Sequence, residues 1–443
     1  MTNKSLRLSA LVLGSMLMST AAQAQSLLPK PQSFNPGKVF FPTEVKAVKI
    51  VNEAGSDADN IYSKAWTDKN SASAKQVVAF KRLKGAASPE AYRLHINRDS
   101  IVISAASADA FRYAWQTIAQ LTTKKGIMAC DIEDAPAYKW RSLMLDVSRH
   151  FFPIEFLKKQ LDIMAQYKFN RFHIHLTDAA GWRIEIKRYP RLTNFAAWRQ
   201  GKTWKEWNNS GNKYLPEGTE GAYGGYYTQD QLRDLVKYAA ERGITIVPEI
   251  EMPGHSEETL TAYPELSCTH EPYKQSDFCP GSVATYDFLE NVLKEVMDIF
   301  PSEYIHVGGD EAGKKSWDDC QLCQKKMKEL GCDKNGLQTH LIAHMGKFLS
   351  NHGRQLVGWD EVIDGNLSSN TTVMVWRGTV YAHKAIEHGY NVVLSPGGYC
   401  YFDGYQDAPA TQPEAIGGYL PLEKVYSYVP GEDLPDAERQ KIT

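Results

Sequence analysis

The sequence predicts an α/β protein in which a small α+β domain precedes a (β/α)8 TIM-type barrel. The chain has 443 residues, 43% of them hydrophobic, which is enough for two domains. Beyond Pro136, short apolar runs alternate with helical patterns, as expected for parallel βα units. Most of these runs end in polar or aromatic residues, and barrels of this type place their chemistry at the carboxyl ends of the strands.

The N-terminal residues 1–24 have the features of a secretory signal peptide. Lys4 and Arg7 precede an apolar run from Leu8 to Met18, and Ala22-Gln23-Ala24 provides a cleavage site of small residues. The apolar run is too short to span a bilayer as a stable helix. We therefore expect an exported protein, periplasmic or extracellular, in which these residues are removed.

The charge balance argues against several classes of partner. The formal net charge is −2, and there is no run of basic residues. A slightly acidic chain gives no reason to expect nucleic acid or an anionic membrane surface as a partner. No later stretch is long and apolar enough for a membrane span. A neutral or cationic substrate fits this composition. The sequence does not determine the oligomeric state.

Residues 25–136 have the pattern of a small, non-catalytic α+β domain. Tyr92–Ile96 and Ser100–Ser104 predict two strands joined by a polar turn, and Ala108–Leu121 predicts a helix. No cluster of catalytic residue types occurs in this part of the chain. We expect a supporting or docking role for the domain, with its boundary at Asp134–Pro136.

Residues 137–443 predict the barrel. Its apolar runs are nearly continuous, as in strands that are buried on both faces. The seven predicted strands are Ser142–Val147, Arg171–Leu176, Ile244–Ile250, Tyr304–Val307, Gln355–Trp359, Thr372–Trp376 and Asn391–Leu394. A complete barrel needs eight strands. We therefore expect that the last βα unit is missing, and that the polar stretch Glu432–Lys441 begins another helix.

The helical patterns between the strands include one clear start signal. Thr228 precedes an apolar stripe and is followed three residues later by Gln231, which is the arrangement of a capping box. The stripe consists of Leu232, Leu235, Val236 and Ala239.

The cysteines permit disulfide bonds if the protein is exported. The seven are Cys130, Cys268, Cys279, Cys320, Cys323, Cys332 and Cys400. Cys268 and Cys279 bracket a polar loop, and we favour that pair as a disulfide. The Cys320-x-x-Cys323 motif could belong to a zinc site, but no second ligand pair occurs at zinc spacing. We therefore expect neither a metal nor a cofactor.

The stretch Tyr304–Glu311 carries the clearest catalytic signal. A short apolar strand leads into two glycines, and the adjacent carboxylates Asp310 and Glu311 follow. Glycines allow a tight turn and a close approach of the backbone to a ligand. Neighbouring side chains on an extended backbone point in different directions, so we expect the two carboxylates to perform different tasks.

Several motifs at the strand ends resemble glycoside hydrolase family 20, the β-N-acetylhexosaminidases. The matching stretches cover most of residues 137–403 in the order of the family, and the first domain resembles the one that usually precedes its barrel. The stretches are LMLDVSRHF (143–151), HIHLTDAAGWRIEI (173–186), GGYYTQDQLRDLVKYAAERGITIVPEIEMPGH (224–255), HVGGDE (306–311), GWDE (358–361) and YFD (401–403). The resemblance implies an exo-acting, retaining enzyme that acts on glycans ending in N-acetylhexosamine.

The resemblance also implies roles for the acidic pair. Glu311 would be the general acid and later the base, and burial with a neighbouring carboxylate is expected to raise its pKa. The nucleophile would be the 2-acetamido oxygen of the substrate, which closes to an oxazolinium ion. Asp310 would hold the acetamido N–H, and Tyr401 would donate a hydrogen bond to the acetamido oxygen.

The remaining site residues follow from the same resemblance. Arg149 would bind hydroxyls at the far end of the terminal sugar, and Asp403 would contact a ring hydroxyl. Asp178 and His255 would form a chain that tunes the protonation of Glu311, although both could instead be purely structural. The aromatic walls around the acetamido methyl group would be Trp359 and Trp376.

The sequence departs from the family in two places. Ala179 and Ala180 stand where many relatives carry an acidic or amide residue, outside the chemistry. The last strand of the family brings a further tryptophan that closes the sugar pocket, and no such motif occurs here. Two alternatives remain: a chitinase-type endo-glycosidase, and a carbohydrate-binding protein on an inactive barrel.

Overall fold

A computed structural model describes residues 27–59 and 69–443 of the chain. The predicted signal peptide lies outside the described residues. The described part forms two compact units, one that contains the residues up to 137 with 165–168, and one that contains 138–164 and 169–443. Within these described ranges, no helix combines the length and the apolar character that a membrane crossing requires.

The first unit is built on one mixed sheet. Its strands are β1 (Ser33–Phe41), β2 (Lys49–Asn52), β3 (Val77–Arg82), β4 (Tyr92–Ile96), β5 (Ser100–Ala105), β6 (Thr122–Thr123) and β7 (Gly126–Asp134). They pair in the order β1-β7-β4-β5-β3-β2, with β6 beside β7. The helices are α1 (Ser56–Asp59) and α2 (Ala108–Leu121). The hairpin and helix predicted for residues 92–121 are therefore confirmed.

Helix α2 shows why this segment folds as it does. The side chain of Ser107 caps its first turn by accepting a hydrogen bond from the backbone N–H of Ala110. Such a cap stabilises a helix by about 1 kcal/mol. The helix then buries Phe111, Ala114 and Ile118 in the apolar core that it shares with the sheet.

The second unit contains a seven-stranded parallel sheet and two antiparallel two-stranded sheets, β10 with β11 and β12 with β13. Its strands are β8 (Ser142–Asp146), β9 (Arg171–His175), β10 (Thr177–Asp178), β11 (Gly181–Trp182), β12 (Trp198–Gln200), β13 (Ala222–Gly224), β14 (Thr245–Met252), β15 (Tyr304–Gly308), β16 (Gln355–Trp359), β17 (Thr372–Val375) and β18 (Asn391–Leu394). The parallel sheet has the order β18-β17-β16-β15-β14-β9-β8. All seven predicted strands are confirmed within two residues, and their order follows the chain as in a barrel.

Helices lie between the parallel strands and after the last of them. They are α3 (Ile154–Gln166), α4 (Arg191–Asn194), α5 (Trp204–Asn209), α6 (Gln229–Ala240), α7 (Glu257–Ala262), α8 (Val283–Ile299), α9 (Gln321–Leu330), α10 (Lys334–Asn351), α11 (Thr379–Glu387), α12 (Gly397–Cys400), α13 (Leu422–Tyr426) and α14 (Asp436–Arg439). The predicted capping box of α6 is present, with Thr228 and Gln231 bonded reciprocally. Short 3-10 helices span Pro264–Leu266, Asp360–Gly365 and Pro409–Thr411.

The segment after β18 returns to the sheet. Helix α14 lies inside the polar stretch for which a helix was predicted, and Ile442 then forms a parallel bridge with Val392. The N–H of Val392 donates to the carbonyl oxygen of Lys441 at 3.0 Å, and the N–H of Thr443 donates to the carbonyl oxygen of Val392 at 3.0 Å. These bonds lie where an eighth parallel strand of a barrel would pair with β18.

The cysteines differ from expectation. The favoured disulfide between Cys268 and Cys279 is not formed, and all seven cysteines are free thiols. Instead, Cys268 and Cys279 lie beside Cys320 and Cys323, which are more than 40 residues later in the chain, at the start of helix α9. Sequence spacing could not show this, because the two pairs meet only in the folded barrel.

Candidate active site

The carboxyl ends of four neighbouring strands carry the residues that the sequence singled out. β8 leads to Arg149, β9 to Asp178, β14 to His255, and β15 to Asp310 and Glu311. Parallel pairing aligns these strand ends at one edge of the sheet. The structure therefore places the five side chains in one cluster.

The turn after β15 depends on glycine. Gly308 and Gly309 have φ angles of 63° and 98°, in the left-handed region that glycine tolerates. A Cβ atom on Gly308 would lie 1.8 Å from Oε2 of Glu251, so no other residue fits without rearrangement. The predicted tight turn is confirmed.

Two non-glycine residues of the site share this backbone strain. His255 has φ 52° and Glu311 has φ 44°, both in a conformation that side chains with a Cβ rarely adopt. Such strain costs on the order of 1–3 kcal/mol and occurs most often at functional positions. In this chain it turns the imidazole and the carboxylate toward each other.

A continuous chain of contacts connects Asp178 with the acidic pair. Nδ1 of His255 lies 3.1 Å from Oδ1 of Asp178. On the other side of the ring, Nε2 lies 3.3 Å from Oδ2 of Asp310 and 3.3 Å from Oε2 of Glu311. The imidazole is thus placed between one buried carboxylate and the two that the sequence predicted to act on substrate.

The charges in this chain follow from its surroundings. Burial disfavours a charged imidazole, but Asp178 and Asp310 outweigh it and raise the pKa of His255 to about 11. Burial of Asp178 is in turn outweighed by Arg149 and the histidines, which lower its pKa to about 2. The site therefore holds an imidazolium that can donate from both ring nitrogens.

Arg149 is tied to the same chain. Its Nη2 lies 2.5 Å from Oδ2 of Asp178, and its Nη1 lies 2.9 Å from Oδ2 of Asp146. The side chain is 35% exposed. Its Nη1 also lies 3.2 Å from Nε2 of His175. The guanidinium is therefore held by two carboxylates and one imidazole, and it can present the N–H groups that these partners leave unused to a ligand.

Asp310 and Glu311 differ in environment, as their adjacency predicted. The side chain of Asp310 is 16% exposed, and its Oδ1 atom is buried without a hydrogen-bond partner among the described residues. Such an atom is ready to accept a bond from a ligand. Glu311 is 58% exposed. The expectation that Glu311 is buried is wrong, because its carboxylate is largely exposed and lines the cavity that Glu361 and Trp376 also border.

Beneath the site lies a buried polar layer that sequence reasoning did not assign. Glu249 accepts hydrogen bonds from Nε2 of His173 at 2.9 Å and Nε1 of Trp359 at 2.8 Å, and it also contacts His175 and His306. Although burial opposes ionisation, these histidines hold the pKa of Glu249 well below its usual range. The signal was visible in the sequence as polar residues alternating within apolar strands.

Glu251 was also missed. Its side chain is 1% exposed, and burial together with the charges of Asp310 and Glu249 raises its pKa well above the usual range. A neutral acid at this position can lie under Asp310 without adding a further negative charge.

Aromatic residues from the later strands border the site. Trp376 and Tyr401 stack with ring centroids 6.2 Å apart, and Nε1 of Trp376 donates to Oε2 of Glu361 at 3.2 Å. A cavity of about 320 Å³ is lined by Glu311, Glu361 and Trp376 among others. Burial and the neighbouring Asp360 raise the pKa of Glu361 to about 7, a feature that the sequence did not reveal.

Two predicted sugar-binding residues have unexpected settings. Trp359 is only 4% exposed and packs in the core of the sheet with Val247 and Met374, so it offers a sugar little surface. Asp403 is exposed in the loop after Tyr401, and its side chain makes no recorded hydrogen bond within the described residues. The structure does not join Asp403 to the cluster.

The donor atoms of His255, Asp310 and Glu311 lie within 4.8 Å of one another, a spacing that a metal ion could occupy. A histidine binds a metal ion only through a neutral imidazole. Because Asp178 and Asp310 raise the pKa of His255 to about 11, this trio favours a proton over a metal.

Two family models match the chain. Residues 138–442 match the model described as glycosyl hydrolase family 20, catalytic domain, and residues 24–135 match the one described as glycosyl hydrolase family 20, domain 2. The first match covers most of the chain, and the second covers most of the sequence before it, from residue 24 onward.

The chain is also similar in sequence to beta-hexosaminidases. A beta-hexosaminidase of Porphyromonas gingivalis is 41% identical over 368 residues, which are 78% of this chain and 45% of the relative. A beta-hexosaminidase of Vibrio furnissii is 38% identical over 362 residues, 78% of this chain and 58% of the relative. The chain thus spans about half the length of these relatives.

Solved structures of related sequence have the same fold as this chain. The structure of a GH20 exo beta-N-acetylglucosaminidase from Vibrio harveyi, in complex with N-acetylglucosamine, has a TM-score of 0.81 and 33% identity, with 95% of this chain and 68% of that chain covered. A beta-N-acetylhexosaminidase from Bacteroides fragilis has a TM-score of 0.74 and 32% identity, with 87% of this chain and 78% of that chain covered.

Proposed function

Because the chain belongs to glycosyl hydrolase family 20, we propose that its protein is an exo-acting β-N-acetylhexosaminidase. It would remove terminal N-acetylhexosamine from the non-reducing ends of β-linked glycans or chitooligosaccharides. The observation that carries the proposal is the contact chain from Asp178 through His255 to Asp310 and Glu311. Beta-hexosaminidase relatives and an exo-acting structural neighbour support it.

The first step would break the glycosidic bond without a protein nucleophile. Glu311 gives its proton to the leaving oxygen while the acetamido oxygen of the substrate attacks the anomeric carbon. The product is an oxazolinium ion, and the aglycone leaves as an alcohol. Glu311 stands at the opening of the site, where a leaving group and an incoming water can reach it.

The second step would return the enzyme to its starting state. Glu311, now a carboxylate, removes a proton from water, and the hydroxyl adds to the anomeric carbon as the oxazolinium ring opens. Two inversions give retention of configuration. His255 lies within 3.3 Å of Glu311 and carries a positive charge that stabilises the carboxylate between the steps.

Asp310 and Tyr401 would position the acetamido group. The unpartnered Oδ1 atom of Asp310 can accept the acetamido N–H, and the negative charge offsets the positive charge that develops on the ring. The hydroxyl of Tyr401 remains protonated, because burial and the carboxylates of Glu249 and Asp310 raise its pKa. It can therefore donate to the acetamido oxygen.

The sugar itself would be held by residues around this centre. Arg149 presents N–H groups to hydroxyls of the terminal sugar, and its pairing with Asp178 fixes their direction. Trp376 would provide an accessible aromatic wall that Trp359 supports from the core. Asp403, which lies outside the cluster, would contact a hydroxyl from the exposed loop. The predicted signal peptide supports an exported enzyme, periplasmic or extracellular.

Hydrolysis of a chromogenic β-N-acetylglucosaminide tests the proposal. We expect the protein to release the dye, and the Asp310→Asn variant to lose about 10²–10³-fold in kcat, because a group that stabilises transition-state charge is removed. Asp230→Asn is the control, since Asp230 is 97% exposed at the surface. A folded protein that binds the sugar but never cleaves it would instead be a carbohydrate-binding protein.

A further inference from the structure

Four cysteines meet where the loop that follows β14 contacts the start of helix α9. Cys268 and Cys279 lie in that loop, whereas Cys320 caps the helix and Cys323 lies in its first turn. The Sγ atom of Cys279 lies 3.6 Å from that of Cys320 and 3.6 Å from that of Cys323, and Cys268 lies 3.8 Å from Cys323. All four sulfur atoms lie within 4.8 Å of one another. We propose that Cys268, Cys279, Cys320 and Cys323 form a tetrathiolate zinc site that joins the loop after β14 to the start of helix α9.

The distances fit a shared metal. Zinc binds thiolates at about 2.3 Å in a tetrahedron, so the sulfur atoms around one ion lie about 3.8 Å apart. The three contacts above match this edge length. A pair of thiols arranged for a disulfide would be separated from the others, whereas Cys279 is equally close to two partners. Binding would release the thiol protons as the four thiolates form.

The surroundings also fit a closed structural site. Cys279 and Cys323 are buried, and the cluster packs against Trp317, Met327 and Leu337. Structural zinc sites have four protein ligands and no open position, and soft thiolates favour zinc over hard cations. The four sulfurs would supply the complete set.

Gly281 gives an independent sign that the loops are built to meet here. A Cβ atom on Gly281 would lie 2.3 Å from the backbone carbon of Leu322 and 2.4 Å from the backbone nitrogen of Cys323. Only glycine permits this approach.

The site would connect the loop of His255 with the loop of the acidic pair. Between the cysteines and the active site, Asp277 accepts bonds from the N–H groups of Gly313 and Lys314 at 3.1 and 2.8 Å. Nε1 of Trp317 donates to the carbonyl of Phe278 at 2.9 Å. The metal would complete this series of cross-links at its outer end.

Metal content and thiol state test the proposal on the protein purified without chelator. We expect about one zinc per chain by inductively coupled plasma mass spectrometry, and a denatured, alkylated mass that shows every cysteine as a free thiol. Iron in place of zinc would contradict the assignment. So would a zinc-free protein whose mass is lower by the hydrogens lost in two disulfides.

Variants locate the ion. Cys320→Ser should reduce the zinc content to below about 0.2 per chain and lower Tm by at least about 5 °C. Cys332→Ser is the matched control, because Cys332 packs against the same cluster but is not one of the four; it should keep its zinc. Unchanged zinc in Cys320→Ser would overturn the site.

If Cys320→Ser does not fold, the unmodified protein provides the same test. Titration with a mercurial reagent should release zinc in proportion to the thiolates modified, and release without thiol modification would contradict the proposal. None of these readouts uses hydrolysis, so the zinc site and the proposed function succeed or fail separately.

Discussion

Asp178 holds His255 through a 3.1 Å contact between Oδ1 and Nδ1, and this contact keeps the imidazole charged beside the acidic pair. Because Oδ2 of Asp178 simultaneously meets Arg149 at 2.5 Å, one buried carboxylate organises two functions. It fixes the group that would bind the sugar and the group that would stabilise the acid.

Asp178→Asn should move the alkaline limb of the pH–kcat profile to lower pH. Asp178 and Asp310 raise the pKa of His255 to about 11, so the loss of one charge lets the imidazole lose its proton at lower pH. We expect kcat to fall about 10–100-fold at neutral pH, in line with the loss of a charged partner. The profile is measured with a chromogenic substrate between pH 4 and 10.

The control for this prediction is Asp162→Asn. Asp162 pairs with Arg242 at 2.6 Å on the outer face of the barrel. The Asp162→Asn substitution therefore removes the same charge as Asp178→Asn without affecting His255. An unchanged alkaline limb in Asp178→Asn would show that Asp178 has only a structural role.

Glu311→Gln should affect substrates according to their leaving groups. An acid contributes about 10²–10⁴-fold where the departing oxygen needs a proton. We expect a loss of this size with a methyl glycoside of the sugar and a far smaller one with a dinitrophenyl glycoside, whose leaving group departs unprotonated. Equal losses for both substrates would exclude Glu311 as the general acid.

Gly308→Ala should destabilise the protein through a steric clash. The new Cβ would lie 1.8 Å from Oε2 of Glu251, and the φ of 63° disfavours alanine. Overpacking and backbone strain together cost about 2–4 kcal/mol. Gly398→Ala is the control, because nothing lies within 4 Å of its added Cβ. Thermal unfolding measures the stability of both variants. Equal stability of Gly308→Ala and Gly398→Ala would show that the turn can relax around the added Cβ and would contradict the prediction.

Glu258 should make stability depend on pH. Burial raises its pKa to about 8 in the folded state, above the ordinary value of 4.5 that applies to the unfolded chain. Between these values the folded state holds the proton and the unfolded state does not, so the free energy of unfolding falls as pH rises from about 4.5 to about 8.

Glu258→Gln should therefore show a smaller drop of Tm between pH 5 and pH 8 than the unsubstituted protein. Glutamine has nearly the same shape and cannot ionise. The exposed Glu265→Gln in the neighbouring 3-10 helix serves as the control and should leave the drop unchanged. A Glu258→Gln variant with the full drop would contradict the assignment.

The barrel strands were predictable because a strand that is buried on both faces needs apolar residues at consecutive positions, and such a run is visible in the sequence. β16 and β18 begin and end at the predicted residues. Asp178, His255, Asp310 and Glu311 were predictable as a cluster because parallel strands end at one edge. Their roles came from the family motifs, and the geometry supports those roles without testing them.

Other features depend on contacts between distant segments. The tetrad of Cys268, Cys279, Cys320 and Cys323 has no fixed spacing in the sequence, so a local disulfide was the wrong expectation. The exposure of Glu311 depends on how the residues around the cavity pack, which the local motif does not show. Trp359 is buried in the core of the sheet, where its indole N–H donates to Glu249, and this contact between two strands forms only in the folded sheet.

The central claim, that the substrate supplies its own nucleophile beside Asp310, is tested most directly by fluorination of the acetamido group. Each fluorine withdraws electrons from the carbonyl oxygen and weakens its attack on the anomeric carbon. With the acetyl, monofluoroacetyl, difluoroacetyl and trifluoroacetyl glucosaminides of one phenol, kcat/KM should fall stepwise. A kcat/KM that does not change with fluorination would contradict participation of the acetamido oxygen.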